Sequence, residues 1–211
     1  MIDSELKDGF LTYGEVRIPG ERPEEIFFST YICHPSMANN ETSGPSLCTY
    51  LAKWLLARKR RFSVRMVFLP ETIGSITYLS RNLDEMKQRI IAGFNVTCVG
   101  DDREYSYLPS RQEDSLADRV ARHTLKHMHP EYKNYSWLDR GSDERQYCAP
   151  GVDLPVATVT RSKYMVYPEY HTSLDDLSLV SPAGLAGAFQ VLCRCVECIE
   201  ADQRHKVAVL C

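Results

Sequence analysis

Several residues able to do metal and proton chemistry stand just beyond apolar runs of this chain. His34 follows the run from Ile26 to Ile32, and Asn40 and Glu41 lie a few positions later. Glu71 follows the run that ends at Leu69-Pro70. Asp101 and Asp102 follow the segment from Arg89 to Gly100, and Tyr170, His171 and Asp175 come after the run from Leu154 to Thr160. Imidazole nitrogens bind zinc, a carboxylate completes the ligand set, and a further carboxylate takes a proton from water activated there. Any one of these residues alone reads as a cap or a surface polar group. Their convergence on segment ends points to metal-assisted hydrolysis.

The elements that would hold them alternate in type. Leu11 to Ile18 alternates as a strand and stops at Pro19-Gly20; Glu25 to Cys33 is a nearly continuous apolar run, as in a central strand buried on both faces. His34 precedes Pro35, which favours extended backbone there. A helix is expected from about Ser43 to Arg61, with Leu47, Leu51, Trp54 and Leu55 at helical spacing. Phe62 to Leu69 is a strand, a short helix begins near Glu71, and another strand lies within Arg89 to Val99. Ser115 to His127 is helical, Leu154 to Thr160 a strand and Pro182 to Glu200 the last helix, with proline in its first turn. This order predicts an α/β fold, a three-layer sandwich with a mixed, mostly parallel sheet, in which sites gather at the carboxyl ends of strands. Without repeats or a linker of biased composition, the whole of 1–211 reads as one domain.

The 211 residues are 44% apolar and 25% charged with a net charge of −3, which excludes a disordered chain and is enough for a buried core. Near-balanced charge implies no nucleic-acid partner. The longest unbroken apolar runs are a few residues against roughly 20 for a spanning helix, and MIDSELKDGF carries no export signal. The eight cysteines therefore read as reduced core thiols of a cytoplasmic protein.

The wording of four segments resembles the zinc aminopeptidase superfamily. The run from Ser29 to Gly44 is similar to its first metal motif, Pro70 to Ser75 to its glutamate motif, and Ser142 to Tyr147 and Tyr170 to Asp175 to its last two. All four look most like the bacterial aminopeptidase-like proteins associated with polysaccharide biosynthesis. The resemblance implies an aminopeptidase-like domain, with His34 and His171 as zinc ligands, Glu71 as general base and Tyr170 beside the tetrahedral intermediate. Asp143 and Asp175 would orient the ligands. It also implies a small or peptide-like substrate and flanking segments in longer relatives.

The departures reduce the metal count. Asn40 stands where the two-zinc enzymes have a bridging aspartate, and Thr72 and Thr97 stand where they have carboxylate ligands. Two zinc ions would be left undercompensated, so one ion is expected. Its third ligand is either Glu41, which has the charge, or Asn40, which has the position. Ser36 replaces a supporting aspartate, so His34 needs another partner for its second nitrogen. Two functions follow: a one-zinc hydrolase of an amide or peptide-like bond, or a degenerate relative that binds a ligand or metal without turnover.

Other signals have plainer readings. Arg58 to Arg61 closes a helix, where cations complement the dipole. His123, His127 and His129 lie on a solvated helix face, and Cys193, Cys195 and Cys198 pack in the core. Gly141-Ser142-Asp143 lacks a nucleophile-elbow pattern. Arg145 is two-sided: it either pairs with Asp143 or Glu144, or grips a substrate carboxylate or phosphate in bidentate fashion. Arg103 has the same two readings.

Overall fold

A computed structural model describes residues 3–202. Seven strands form one sheet in the order β1-β3-β2-β4-β7-β5-β6. The strands are β1 (Gly14–Ile18), β2 (Arg22–Tyr31), β3 (Phe62–Leu69), β4 (Ile90–Asn95), β5 (Ser106–Leu108), β6 (Lys133–Asn134) and β7 (Val156–Thr160). β2 pairs in parallel with β3 and β4, and β4 with β7; β1 and β5 run antiparallel to β3 and β7. The helices are α1 (Ser43–Leu56), α2 (Ile73–Arg89), α3 (Leu116–Met128), α4 (Glu144–Tyr147) and α5 (Pro182–Ala201).

Alternation along β2 assigns the layers. Ile26 and Phe28 pack with Leu47, Leu51 and Leu55 of α1, Ala121 and Leu125 of α3, and Val191 and Leu192 of α5. Phe27, between them, points to the opposite face and packs with Tyr78, Leu79 and Met86 of α2 and Tyr147 of α4. The result is the expected three-layer α/β sandwich around a mixed, mostly parallel sheet. Because β3 lies on one side of β2 and β4 on the other, the carboxyl end of β2 is a switch point of the kind at which α/β sheets form the crevice that binds ligands.

Some element boundaries differ from expectation. α1 ends at Leu56, so Arg58 to Arg61 lie beyond the helix: Arg58 covers the Trp54 ring at 4.4 Å and Arg61 the Phe62 ring at 4.7 Å. α2 is 17 residues long rather than a short turn, because Tyr78, Leu79 and Met86 give it a continuous buried face. β5, β6 and α4 have only 3, 2 and 4 residues, too few for periodicity to register. α5 has the length and mean hydropathy (1.2) of a membrane-crossing helix, which run length alone did not disclose because Gln190, Arg194 and Glu197 interrupt its apolar stretches. Here its Ala188, Val191, Leu192, Cys195, Val196 and Ile199 pack in the core.

Cys48, Cys98, Cys148, Cys193 and Cys195 are buried and Cys198 half-buried, but Cys33 is exposed. The expectation of a core thiol fails there because β2 stops at Tyr31 and the chain leaves the sheet before Cys33. Cys211 lies outside the described residues.

Candidate functional site

His34 is aimed by Glu41. The chain leaving β2 turns through Ser36, at φ 67°, into a single π-helical turn, Ala38–Thr42, that runs into α1. This turn carries Glu41 back beneath the strand end. One Glu41 oxygen accepts the Cys33 backbone N–H at 2.7 Å, and the other lies 2.8 Å from His34 Nδ1. A carboxylate at Nδ1 favours the tautomer with its proton there, which leaves Nε2 as the nitrogen able to bind a metal. The partner for the second nitrogen of His34, which Ser36 could not supply, is therefore Glu41.

The second imidazole arrives from the loop after β7. His171 has φ 57°, stacks on Tyr170 at 3.9 Å and lies 4.6 Å from the His34 ring, centroid to centroid. Burial, with His34 alongside, holds its pKa below the usual imidazole value, which favours the neutral, metal-binding form. Asp175 joins this loop to the π-helical turn: its carboxylate accepts the backbone N–H groups of Asn39 at 2.6 Å and Asn40 at 3.0 Å. It braces backbone on both sides of the cleft.

Asn40 is buried at the floor. Its Nδ2 donates to the Tyr31 hydroxyl at 2.7 Å, and its Oδ1 has no partner among the described residues. Thr97 closes the floor through hydrogen bonds with the Tyr31 hydroxyl and, at 3.3 Å, the Asn40 carbonyl. Of the strand-exit acids, Asp101 and Asp102 stay out of the site: Asp101 takes Asn39 Nδ2 at 3.1 Å and the Ser162 hydroxyl at 2.7 Å, and Asp102 takes the Ser181 hydroxyl at 3.0 Å.

Glu71 sits on a constrained turn. Thr72 has φ 62° and ψ −66°, and the Ile73 N–H reaches back to the Glu71 carbonyl at 2.6 Å. This is the strained form of the γ-turn, unusual for a β-branched residue. Asp143 holds it: one carboxylate oxygen accepts the Thr72 N–H at 2.7 Å and the Ser75 hydroxyl at 2.9 Å. Burial pushes the half-buried Glu71 carboxyl above the ordinary glutamate value; Ser142 and Arg145 oppose the shift, and Glu41 and Glu144 add to it. That raises its proton affinity toward what a general base needs at neutral pH.

Asp143 itself is pushed up to about 7, chiefly by burial, and its second oxygen has no partner among the described residues. The folded protein thus keeps a proton that the unfolded chain releases near 3.8. The contribution of this group to stability is full below roughly pH 4 and is lost as pH rises to about 7. Asp143→Asn removes the titration. In chelator, the denaturation midpoint of the wild type should fall against that of the variant across this window; parallel curves would contradict the assignment.

Glu144 was legible only as a possible partner of Arg145, yet it organises the segment. Fully buried, it accepts from the Gly141 and Ser142 N–H groups at 2.8 and 3.0 Å, Asn95 at 3.0 Å and the Tyr164 hydroxyl at 2.6 Å. Its further sequence signal was its place in the Ser142 to Tyr147 segment that resembles the family's third motif. Arg103 makes a two-pronged pair with Glu169 at 2.7 and 2.8 Å. Arg145 forms no ion pair among the described residues; it donates to the Ser142 carbonyl at 3.2 Å and the Thr72 hydroxyl at 3.4 Å.

The crevice therefore gathers His34, Glu41, Asn40, Glu71, Tyr170, His171 and Arg145, with Asp143 and Asp175 bracing its backbone. No three His, Cys, Asp or Glu side chains among the described residues form a ready cluster for a metal. Two adjacent imidazoles, one oriented by a carboxylate, fit one zinc ion. Thr72 and Thr97 offer no carboxylate for a second.

Known proteins carry the same architecture. A zinc aminopeptidase from Bacillus subtilis superposes with a TM-score of 0.73 over 93% of this chain and 51% of its own, at 18% identity, a likeness of fold. A crystal structure from Clostridium acetobutylicum, described as a candidate peptidase, matches with a TM-score of 0.85 and 42% identity over 89% of this chain and 44% of its own. A protein of the same organism, named as a polysaccharide biosynthesis protein with an aminopeptidase-like domain, is 43% identical over 97% of this chain and 47% of its own length. The chain thus spans about half the length of the curated relative it matches, and its fold is aminopeptidase-like. The profile of the family described as "Domain of unknown function (DUF4910)" matches residues 4–202, and the chain belongs to that family.

Proposed function

We propose that this chain is an aminopeptidase-like hydrolase that cleaves an amide or peptide-like bond with one zinc ion. The observation that carries the proposal is the His34–His171 pair, 4.6 Å apart centroid to centroid, with Glu41 both hydrogen-bonded to His34 and near enough to the half-buried Glu71 carboxyl to add to its raised proton affinity. His34 and His171 would hold the ion, with Asn40 or Glu41 as the further protein donor. The zinc would supply a Lewis acid that polarises the scissile carbonyl.

The chain's own residues do the rest. Glu71 takes a proton from the attacking water and delivers it to the departing nitrogen. Tyr170 keeps its phenolic proton, because burial raises its pKa, and can donate a hydrogen bond to the oxyanion as it forms. Glu41 keeps His34 in the tautomer that binds metal. The γ-turn at Thr72, clamped by Asp143, fixes where Glu71 points.

The name of the Clostridium acetobutylicum relative supports a place in polysaccharide biosynthesis, with an amide-bearing or peptide-bearing precursor as substrate, and we treat 1–211 as one catalytic-type unit. The lack of a ready three-donor cluster among the described residues favours a second reading, a binding module without turnover. Hydrolysis of C-terminally amidated dipeptides by zinc-supplemented protein separates the two. Release of the first residue, abolished by chelator, is expected; intact peptides with zinc bound would establish the binding module.

A further inference from the structure

We propose that Arg145 selects the substrate of this crevice, taking an anionic group, carboxylate or phosphate, that lies close to the bond to be cleaved. This rests on the hydrolase reading above and adds a substrate class to it.

Arg145 and Arg103 began with the same two readings, and the structure separates them. Arg103 is engaged in both prongs by Glu169. Arg145 has acids as its chain neighbours on one side, Asp143 and Glu144, yet pairs with neither. Asp143 is turned inward to Thr72 and Ser75, and Glu144 is enclosed by Gly141, Ser142, Asn95 and Tyr164. The Arg145 guanidinium is exposed and uses two of its five N–H groups, in contacts at the long end of hydrogen bonding.

Its position makes the unused face relevant. It leans over the Thr72 hydroxyl, one residue beyond Glu71, and its charge lowers the pKa of both Glu71 and Tyr170. A planar fork of donors that no acid among the described residues engages is matched by a carboxylate or phosphate oxygen pair. An acidic group on a substrate would meet a cation there that forms no ion pair among the described residues; a neutral isostere would leave it to water.

The test compares amidated dipeptides that differ only in charge: leucyl-aspartate, leucyl-asparagine and leucyl-phosphoserine amides, and the same set with the order reversed. Binding is read by calorimetry on zinc-supplemented Glu71→Gln protein, and turnover on the wild type. One acidic peptide should bind about tenfold tighter than its asparagine counterpart, and whether aspartate or phosphoserine wins identifies the group. Arg145→Met should erase the preference, read as the ratio of acidic to asparagine peptide within each protein, and Arg145→Lys should restore part of it. Equal affinity for acidic and neutral members, no binding of either, or a preference that survives Arg145→Met would overturn the proposal. An Arg145-dependent preference without any turnover would sink the hydrolase reading alone; turnover with no preference would sink this one alone.

Discussion

Glu71→Gln should lower kcat for amide hydrolysis by about a thousandfold while zinc content and fold stay unchanged. The size follows from removing a positioned general base, which typically contributes between about 10² and 10⁴. Glutamine keeps the shape at the end of β3 and the backbone of the γ-turn, so Thr72 should still donate to Asp143. What is lost is the carboxylate that accepts the proton of the attacking water. If kcat fell less than about tenfold, Glu71 would not be the base. If zinc were lost with it, Glu71 would be a ligand instead.

Glu41→Ala should weaken zinc binding by about 10- to 100-fold, the usual cost of removing the carboxylate that orients a histidine ligand. In the wild type, both Glu41 oxygens are engaged, with the Cys33 N–H and with His34 Nδ1. Alanine frees the ring to rotate and to exchange tautomers, and it removes the side-chain acceptor of the Cys33 N–H. Zinc titration with a competing chelator reads the change directly. Complete loss of binding would identify Glu41 as a ligand in its own right and leave Asn40, whose buried Oδ1 has no partner among the described residues, as bystander. Unchanged affinity would mean that His34 is not a ligand.

Much of the crevice was legible because its residues sit where apolar runs stop. The continuous run through Phe27 and Phe28 marked β2 as the buried central strand, and Pro35 and Pro70 marked the exits that carry His34 and Glu71. The strands beyond β4 were harder. β5 and β6 owe their pairing to neighbours in space, with Ser106 opposite Thr160 and Lys133, and carry too few residues for a pattern. The acids show the same limit. Glu41, Asp143, Glu144 and Asp175 are alike as letters. What distinguishes them is which donors the fold brings to each: a histidine nitrogen, a γ-turn amide, a buried asparagine, a pair of backbone amides. Those partners are distant in sequence or set by local turns such as the π-helical one at Ala38–Thr42, which no periodicity announces.

The same reasoning separates Arg145 from Arg103. Chain neighbours suggested ion pairs for both, but a pair forms only where the side chains face each other. Glu169 comes to Arg103 from the loop after β7, whereas Asp143 and Glu144 turn away from Arg145 toward buried donors.

Metal analysis of the purified, zinc-equilibrated chain tests the central claim most directly. The arrangement of His34, His171 and Glu41, with threonines at 72 and 97, predicts one zinc per chain, lost in the His34→Ala, His171→Ala double variant. Two zinc ions per chain, none, or one that survives removal of both histidines would contradict it.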